Sequence, residues 1–141
     1  MIIDGKNLIA GRLASFAAKQ ALFGNDIDII NAELVMVTGS KRVVVGKQKE
    51  RQARGHPYKG PFVPRREDKL LRRMIRGMLP YKQSRGMIAF KKVKCHMGVP
   101  DEFKDKPTTE VQGANIIKTH TLKYIRLAEV SKLIGRKQWK Q

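Results

Sequence analysis

The sequence predicts an α/β fold built on a parallel sheet, and three observations support that prediction. Residues 1–40 run strand, helix, strand by their hydrophobic patterning, an order that closes into a right-handed βαβ unit. The stretch Pro64–Gly86, PRREDKLLRRMIRGMLPYKQSRG, holds a helix whose apolar face needs a sheet or core beneath it. A length of 141 residues with a hydrophobic share of 41% suits one domain, 1–141, burying about two-thirds of its unfolded surface.

Met1–Asp4 is a short apolar strand, and GKNLIAG at Gly5–Gly11 is a loop. Leu13–Phe23 reads as a mostly covered helix, charged only at Lys19 with Arg12 just before it, and Gly24-Asn25 stops it. Asp26–Asn31 and Leu34–Thr38 are strands by their β-branched content. Gly39 turns the chain, and Ser40 is placed to cap a helix running to about Arg54. Val43–Val45 argue for a strand there by propensity. Two glycines and two prolines make Arg54–Val63 a loop. Ser84–Phe90 is a short helix, and Val93–Met97 is a strand ended by Gly98–Pro100. Asp101–Asn115 reads as irregular polar chain with few apolar anchors, flexible in the free protein as Arg54–Val63 is, and Ile116–Ile125 is mixed. Leu127–Ile134 is an amphipathic helix capped by Gly135, and the tail Arg136–Gln141 is basic.

The central helix divides cleanly at about 100° per residue. Leu70, Leu71, Met74, Ile75, Met78 and Leu79 share one side. Arg65, Arg66, Lys69, Arg72, Arg73 and Arg76 share the other, with no acid among them. Pro64 fits the first turn, where its missing N–H costs nothing. Glu67 and Asp68 follow, at the end where the helix dipole favours negative charge, and Pro80 stops the helix.

Thirty Lys and Arg face twelve Asp and Glu, a net charge of +18 with a pI near 10.5. Residues 41–94 hold eighteen bases and three acids, against three and four in residues 1–40 and nine and five in residues 95–141. Full one-to-one pairing still leaves eighteen cations unmatched, and self-repulsion of that size disfavours a compact fold unless a polyanion neutralises it. This favours nucleic-acid contact over a merely solvated charged face. Aromatic residues are only 6%, which argues against a surface built mainly on base stacking. The single Cys95 allows no internal disulfide, as suits a reducing cytosol. Asp4, Lys6, Arg12 and Lys19 interrupt any secretory pattern, and no run approaches the roughly 20 apolar residues of a membrane span.

The sequence holds no complete motif for chemistry. GKNLIAGR lacks GxGxxG spacing, and Gly39-Ser40-Lys41 lacks the upstream glycine of a P-loop. Cys95 and His96 are adjacent on a strand and point to opposite faces, while His56 and His120 show no ligand spacing. A buried thiol beside a surface imidazole is the simpler reading. Gly77 either caps its helix or lets an RNA backbone or another element approach closely. Trp139 reads as a packing anchor for the tail rather than a stacking platform. His56-Pro57-Tyr58, between Arg54 and Lys59, is either a Pro-stiffened loop or a stack for an unpaired base with cations to hold phosphates.

Four segments in register carry a family resemblance: GRLAS at Gly11–Ser15, NAE at Asn31–Glu33, VTGSK at Val37–Lys41, and IRGMLP at Ile75–Pro80 followed by Gly86. Together they cover about residues 1–98, and the sequence resembles the large-subunit ribosomal protein L-thirteen family. LAEVSKLIG at Leu127–Gly135 resembles its archaeal type. The resemblance implies a three-layer α/β/α fold around a four-stranded parallel sheet, and helix rather than strand over Ser40–Arg54. It implies a structural role in binding ribosomal RNA and supporting subunit assembly, with no enzymatic activity.

The expected RNA-contact region is about residues 40–94, and about residues 100–141 form a C-terminal extension of the domain. Arg65, Arg66, Lys69, Arg72, Arg73 and Arg76 would bridge RNA phosphates. Lys41, Arg42, Lys47, Lys49, Arg51, Arg54, His56, Tyr58 and Lys59 would extend the site, and Lys82, Arg85, Lys91, Lys92 and Lys94 would continue it. Phosphate contacts set affinity and register, while shape and unpaired bases set specificity. The implied partners are large-subunit ribosomal RNA and neighbouring ribosomal proteins in the cytoplasm, with no membrane, small-molecule substrate, cofactor or metal. The alternative is an RNA-acting enzyme using the sheet as a cofactor crevice, which needs a fingerprint loop or clustered acid and base. A peripheral membrane binder needs an exposed apolar face opposite the basic one, and here that face has a sheet to cover.

Overall fold

A computed structural model describes residues 1–56, 58–119 and 122–135. The readings made at Pro57, at His120 and over the basic tail, Trp139 included, lie outside the described residues. The chain runs β1 (Ile2–Asp4), α1 (Ala10–Leu22), β2 (Ile27–Ile30), β3 (Met36–Thr38), α2 (Lys41–Ala53), α3 (Glu67–Gly77), α4 (Ser84–Lys91), β4 (Val93–Cys95), β5 (Tyr124–Arg126) and α5 (Leu127–Leu133). Short 3-10 turns occupy Ala32–Leu34, Asp101–Phe103 and Ile116–Lys118.

β1 and β4 flank β2 in a parallel sheet, with Ile3 opposite Ile29 and Ile29 opposite Cys95. The strand–helix–strand pattern therefore closes as a βαβ unit through α1. The parallel sheet has three strands where four were expected. β3 pairs antiparallel with β5 instead, Val37 opposite Ile125. Asn31 explains the diversion: it takes left-handed backbone at φ 54°, which an Asn tolerates, and the 3-10 turn that follows redirects the chain before β3 begins. A single parallel bridge, Ile9 to Met36, ties β3 to the segment after β1.

Pleating sets Ile3, Ile27, Ile29 and Val93 on one face. They form one core with Leu13, Ala14 and Ala17 of α1, Leu71 and Ile75 of α3, and Ala89 of α4. On the other face, His96 Nε2 lies 3.0 Å from Asp28 Oδ1, and the His96 ring lies 5.4 Å from that of Phe103.

Several boundaries differ from expectation for physical reasons. α1 begins at Ala10, inside the expected loop, because Ala10, Leu13, Ala14 and Ala17 bury one stripe and Gly11 sits harmlessly outside it. α3 begins at Glu67, so Pro64, Arg65 and Arg66 precede the helix rather than form its first turn. Residues 101–115 are more anchored than their polarity suggests. Thr109 N–H donates to the Ile2 carbonyl at 2.7 Å, and Val111 and Ala114 are buried in the core.

Candidate nucleic-acid interface

α2 is the most exposed long element. Only Val45 is buried, and the helix docks near its start, where Lys41 pairs with Glu129 of α5. Ser40 occupies the N-cap position with extended backbone, but its side chain makes no capping bond. The rest of α2 runs past α3, and a cleft of about 650 Å³ separates the two. Arg51 and Arg54 line it from α2 and its end, and Arg73 and Arg76 line it from α3. Arg76 lies 5.0 Å from the centre of the Tyr81 ring, a cation–π contact that holds its guanidinium beside the cleft. Gly77 lies on the same wall. It is not a left-handed cap, since Met78 caps α3 with right-handed backbone, and an added Cβ would meet no atom within 4 Å.

The six cations of the expected basic face thus separate. Arg73 and Arg76 reach the cleft, and Lys69 is exposed. Arg72 turns inward: its guanidinium stacks 4.6 Å from the centre of the Phe90 ring, with a buried Nε that has no partner. Arg65 donates to the Gly135 carbonyl at 2.9 Å, and Arg66 pairs with Asp68 at 3.1 Å. Lys92 donates to the Gly24 carbonyl at 2.6 Å, at the C-terminal end of α1. Arg42, Lys47, Lys49, Lys59, Lys82, Arg85, Lys91 and Lys94 are exposed, outside the cleft lining. His56 and Tyr58 sit on the loop after α2 with ring centres 5.8 Å apart, and Tyr58 is 88% exposed.

Cys95 faces the core. Burial pushes its thiol up to about 12, the nearby Arg72 opposing this, so the group stays protonated and unreactive at neutral pH. Among the described residues no group of three or more His, Cys, Asp or Glu is placed to hold a metal ion, and no helix is long and apolar enough to cross a membrane.

Residues 1–102 match the family model described as Ribosomal protein L13. The chain belongs to the ribosomal protein L13 family. Three archaeal relatives, each named large ribosomal subunit protein uL13, extend the likeness well beyond residue 102. That of Methanosarcina barkeri is 44% identical over 137 residues, 96% of this chain and 98% of the relative. That of Archaeoglobus fulgidus is 41% identical, covering 95% of this chain and 86% of the relative. That of Methanococcus maripaludis is 39% identical, covering 97% and 98%.

The segments that resemble the L13 family are joints of the scaffold. In GRLAS, Leu13 and Ala14 are fully buried, and Ser15 Oγ lies 3.3 Å from Met78 Sδ. In NAE, Asn31 donates to Asp4 at 2.9 Å, and Glu33 accepts the Gly98 N–H on both oxygens. In VTGSK, Gly39 at φ 123° donates its N–H to the Lys123 carbonyl. After IRGMLP, Gly86 lets α4 lie against Pro80, whose carbonyl oxygen would sit 2.1 Å from an added Cβ. The cleft takes Arg76, Gly77 and Met78 from IRGMLP, but its other lining residues lie outside these segments, so the L13 resemblance outlines it only in part. Sequence reasoning missed Tyr81, Phe62, Gln48 and Gln52 as lining residues of this region. The signal for the first two was an aromatic ring directly after a turn proline, at Pro80-Tyr81 and Pro61-Phe62.

Proposed function

We propose that the chain is a structural constituent of the large ribosomal subunit that binds ribosomal RNA with the cleft between α2 and α3 at its centre. The observation that carries this reading is the convergence of Arg51, Arg54, Arg73 and Arg76, from two helices, on one open cleft. Guanidinium groups grip phosphates in a bidentate fashion, and a cleft walled by cations of one sign focuses the attraction. Acids are too few to occupy all four: residues 41–94 hold three, of which Glu50 pairs with Arg54 and Asp68 with Arg66. Lys47, Lys49, Lys69, Lys82, Arg85, Lys91 and Lys94 would add diffuse phosphate contacts around this centre. Lys41, Arg65, Arg66, Arg72 and Lys92 serve the fold first and contact RNA only where their outer edges remain free.

The family is one of ribosomal proteins and not of enzymes. Its members are named for the large subunit, so ribosomal RNA and neighbouring ribosomal proteins, in the cytoplasm, are the partners of this reading. The 141 residues act in it as one unit, and the parallel Ile9–Met36 bridge supports β3 as the fourth strand that the resemblance implies. A sucrose gradient tests the proposal: the tagged chain travels with the large subunit, and a variant with Arg51, Arg73 and Arg76 changed to Gln stays near the top. Equal incorporation of both proteins would place the contact surface elsewhere.

A further inference from the structure

A second cavity adjoins the arginine cleft. The chain after α2 makes a tight loop in which Gly55 and Gly60 take left-handed backbone and His56 bridges to Gly60. The N–H groups of Lys59 and Gly60 both donate to the His56 carbonyl, at 3.2 and 3.0 Å. This loop and the end of α2 enclose about 410 Å³. Gln52, Arg54, His56, Pro61, Phe62 and Arg65 stand on its walls.

Three features give the cavity a ligand chemistry. Gln52 Nε2 is buried without a hydrogen-bond partner, and a buried amide donor left unsatisfied costs stability unless something accepts from it. His56 and Phe62 offer ring faces, and Phe62 is 76% exposed although it is fully apolar. Arg54 and Arg65 bring positive charge to the same walls. Ring faces, one directional amide and flanking cations are the requirements of an unpaired base with its phosphates. The location agrees, because Arg54, Pro61 and Val63 line both this cavity and the arginine cleft. A strand whose phosphates lie in the cleft therefore passes the cavity mouth.

We propose that this cavity receives one unpaired base of the RNA strand held in the cleft, stacked on Phe62 and hydrogen-bonded by the Gln52 amide. The inference rests on the RNA reading of the cleft and adds a base-recognition site to it.

The test uses the full chain and two probes: a mixed-sequence single-stranded oligoribonucleotide, and an abasic oligomer of the same length and charge. Fluorescence anisotropy at several salt concentrations gives affinity and salt slope together. The expected result is a preference of about tenfold for the oligomer with bases, as one stacked base contributes. Gln52→Ala combined with Phe62→Leu removes the preference and leaves the salt slope unchanged, while Phe62→Trp keeps it. A second readout needs no variant: the Gln52 side-chain amide signals in an NMR spectrum shift with the base-bearing oligomer and not with the abasic one. Equal affinity for both oligomers, a preference that survives in the double variant, or an unmoved Gln52 amide overturns the inference. If both oligomers bind with a steep salt slope and equal affinity, only the base cavity fails. If neither shows a salt slope, the cleft reading fails and takes this inference with it.

Discussion

α1 and α2 are each thirteen residues long, and they solve opposite problems. α1 buries Leu13 and five alanines, and their small side chains let its backbone lie close to α3, α4 and the sheet. It carries two bases, Arg12 and Lys19. α2 carries five bases and buries Val45 alone. A helix with so little packed surface draws little stability from tertiary contact, so its ordering depends on its anchored start and on whatever its cations meet. In the proposed reading α1 serves cohesion alone and α2 serves recognition, while α3 does both, burying Leu71 and Ile75 and turning Arg73 and Arg76 to the cleft. That separation predicts that the two properties can be changed independently.

The largest expected effect is on the cohesive side. Gly86→Ala puts a methyl group against the Pro80 carbonyl and should cost about 3 kcal/mol, read from the urea midpoint. On the recognition side, Gly46 in α2 meets nothing within 4 Å, and Gly46→Ala should leave stability equal or raise it by up to about 1 kcal/mol. Equal destabilisation at the two glycines would show that α2 is packed and would end the comparison.

Arg51, Arg73 and Arg76 changed together to Gln should preserve the melting temperature to within a few degrees. RNA affinity should fall, and the slope of log affinity against log salt should shrink by about 0.7 to 0.9 for every phosphate no longer neutralised. Arg72→Gln, one residue from Arg73, should do the reverse. Without its stack on Phe90, stability should drop by about 1 kcal/mol and the slope should barely change. If Arg72 moves the slope as much as Arg73 does, the division between inward and outward cations is wrong.

The smallest effect is expected at Cys95. Cys95→Val at neutral pH should stay within about 1.5 kcal/mol of the parent, as for a volume-conserving swap. The pH dependence gives a finer reading. The folded thiol, raised to about 12 from an ordinary 9.0, keeps its proton where the unfolded chain has released it. Its contribution to stability is full below about pH 9 and declines by about 1.4 kcal/mol per unit as pH rises toward 12. The parent should therefore become less stable relative to Cys95→Val above pH 9, and parallel curves would mean that the thiol is not buried.

The α/β class, the βαβ unit and the helices other than α2 are legible in local periodicity and stop signals, whereas Val43–Val45 favour a strand in α2 and the family resemblance decides for helix there. The partner of β3 is not, because pairing between Met36–Thr38 and Tyr124–Arg126 joins segments that no local pattern links. The basic region is legible as a composition, but its division is not. Arg72 and Arg73 look alike on a wheel, and only the position of Phe90 turns one inward. The cleft and the cavity beside it escape notice for a related reason: Tyr81 in the one and Phe62 in the other are single aromatic residues whose neighbourhood exists only after the chain has folded.

The pairing of β3 with β5 has a consequence for how the molecule comes into being. Synthesis delivers residues 36–38 well before residues 124–126. The Val35 carbonyl waits for the Leu127 N–H, the Ala114 carbonyl reaches Ile9 late, and Ile2 waits for Thr109. Contacts between such distant segments close slowly. The cationic middle of the chain therefore leaves the synthesising machinery while its scaffold is still open. During that interval eighteen bases are open to a polyanion before the last strand has locked the geometry that presents them.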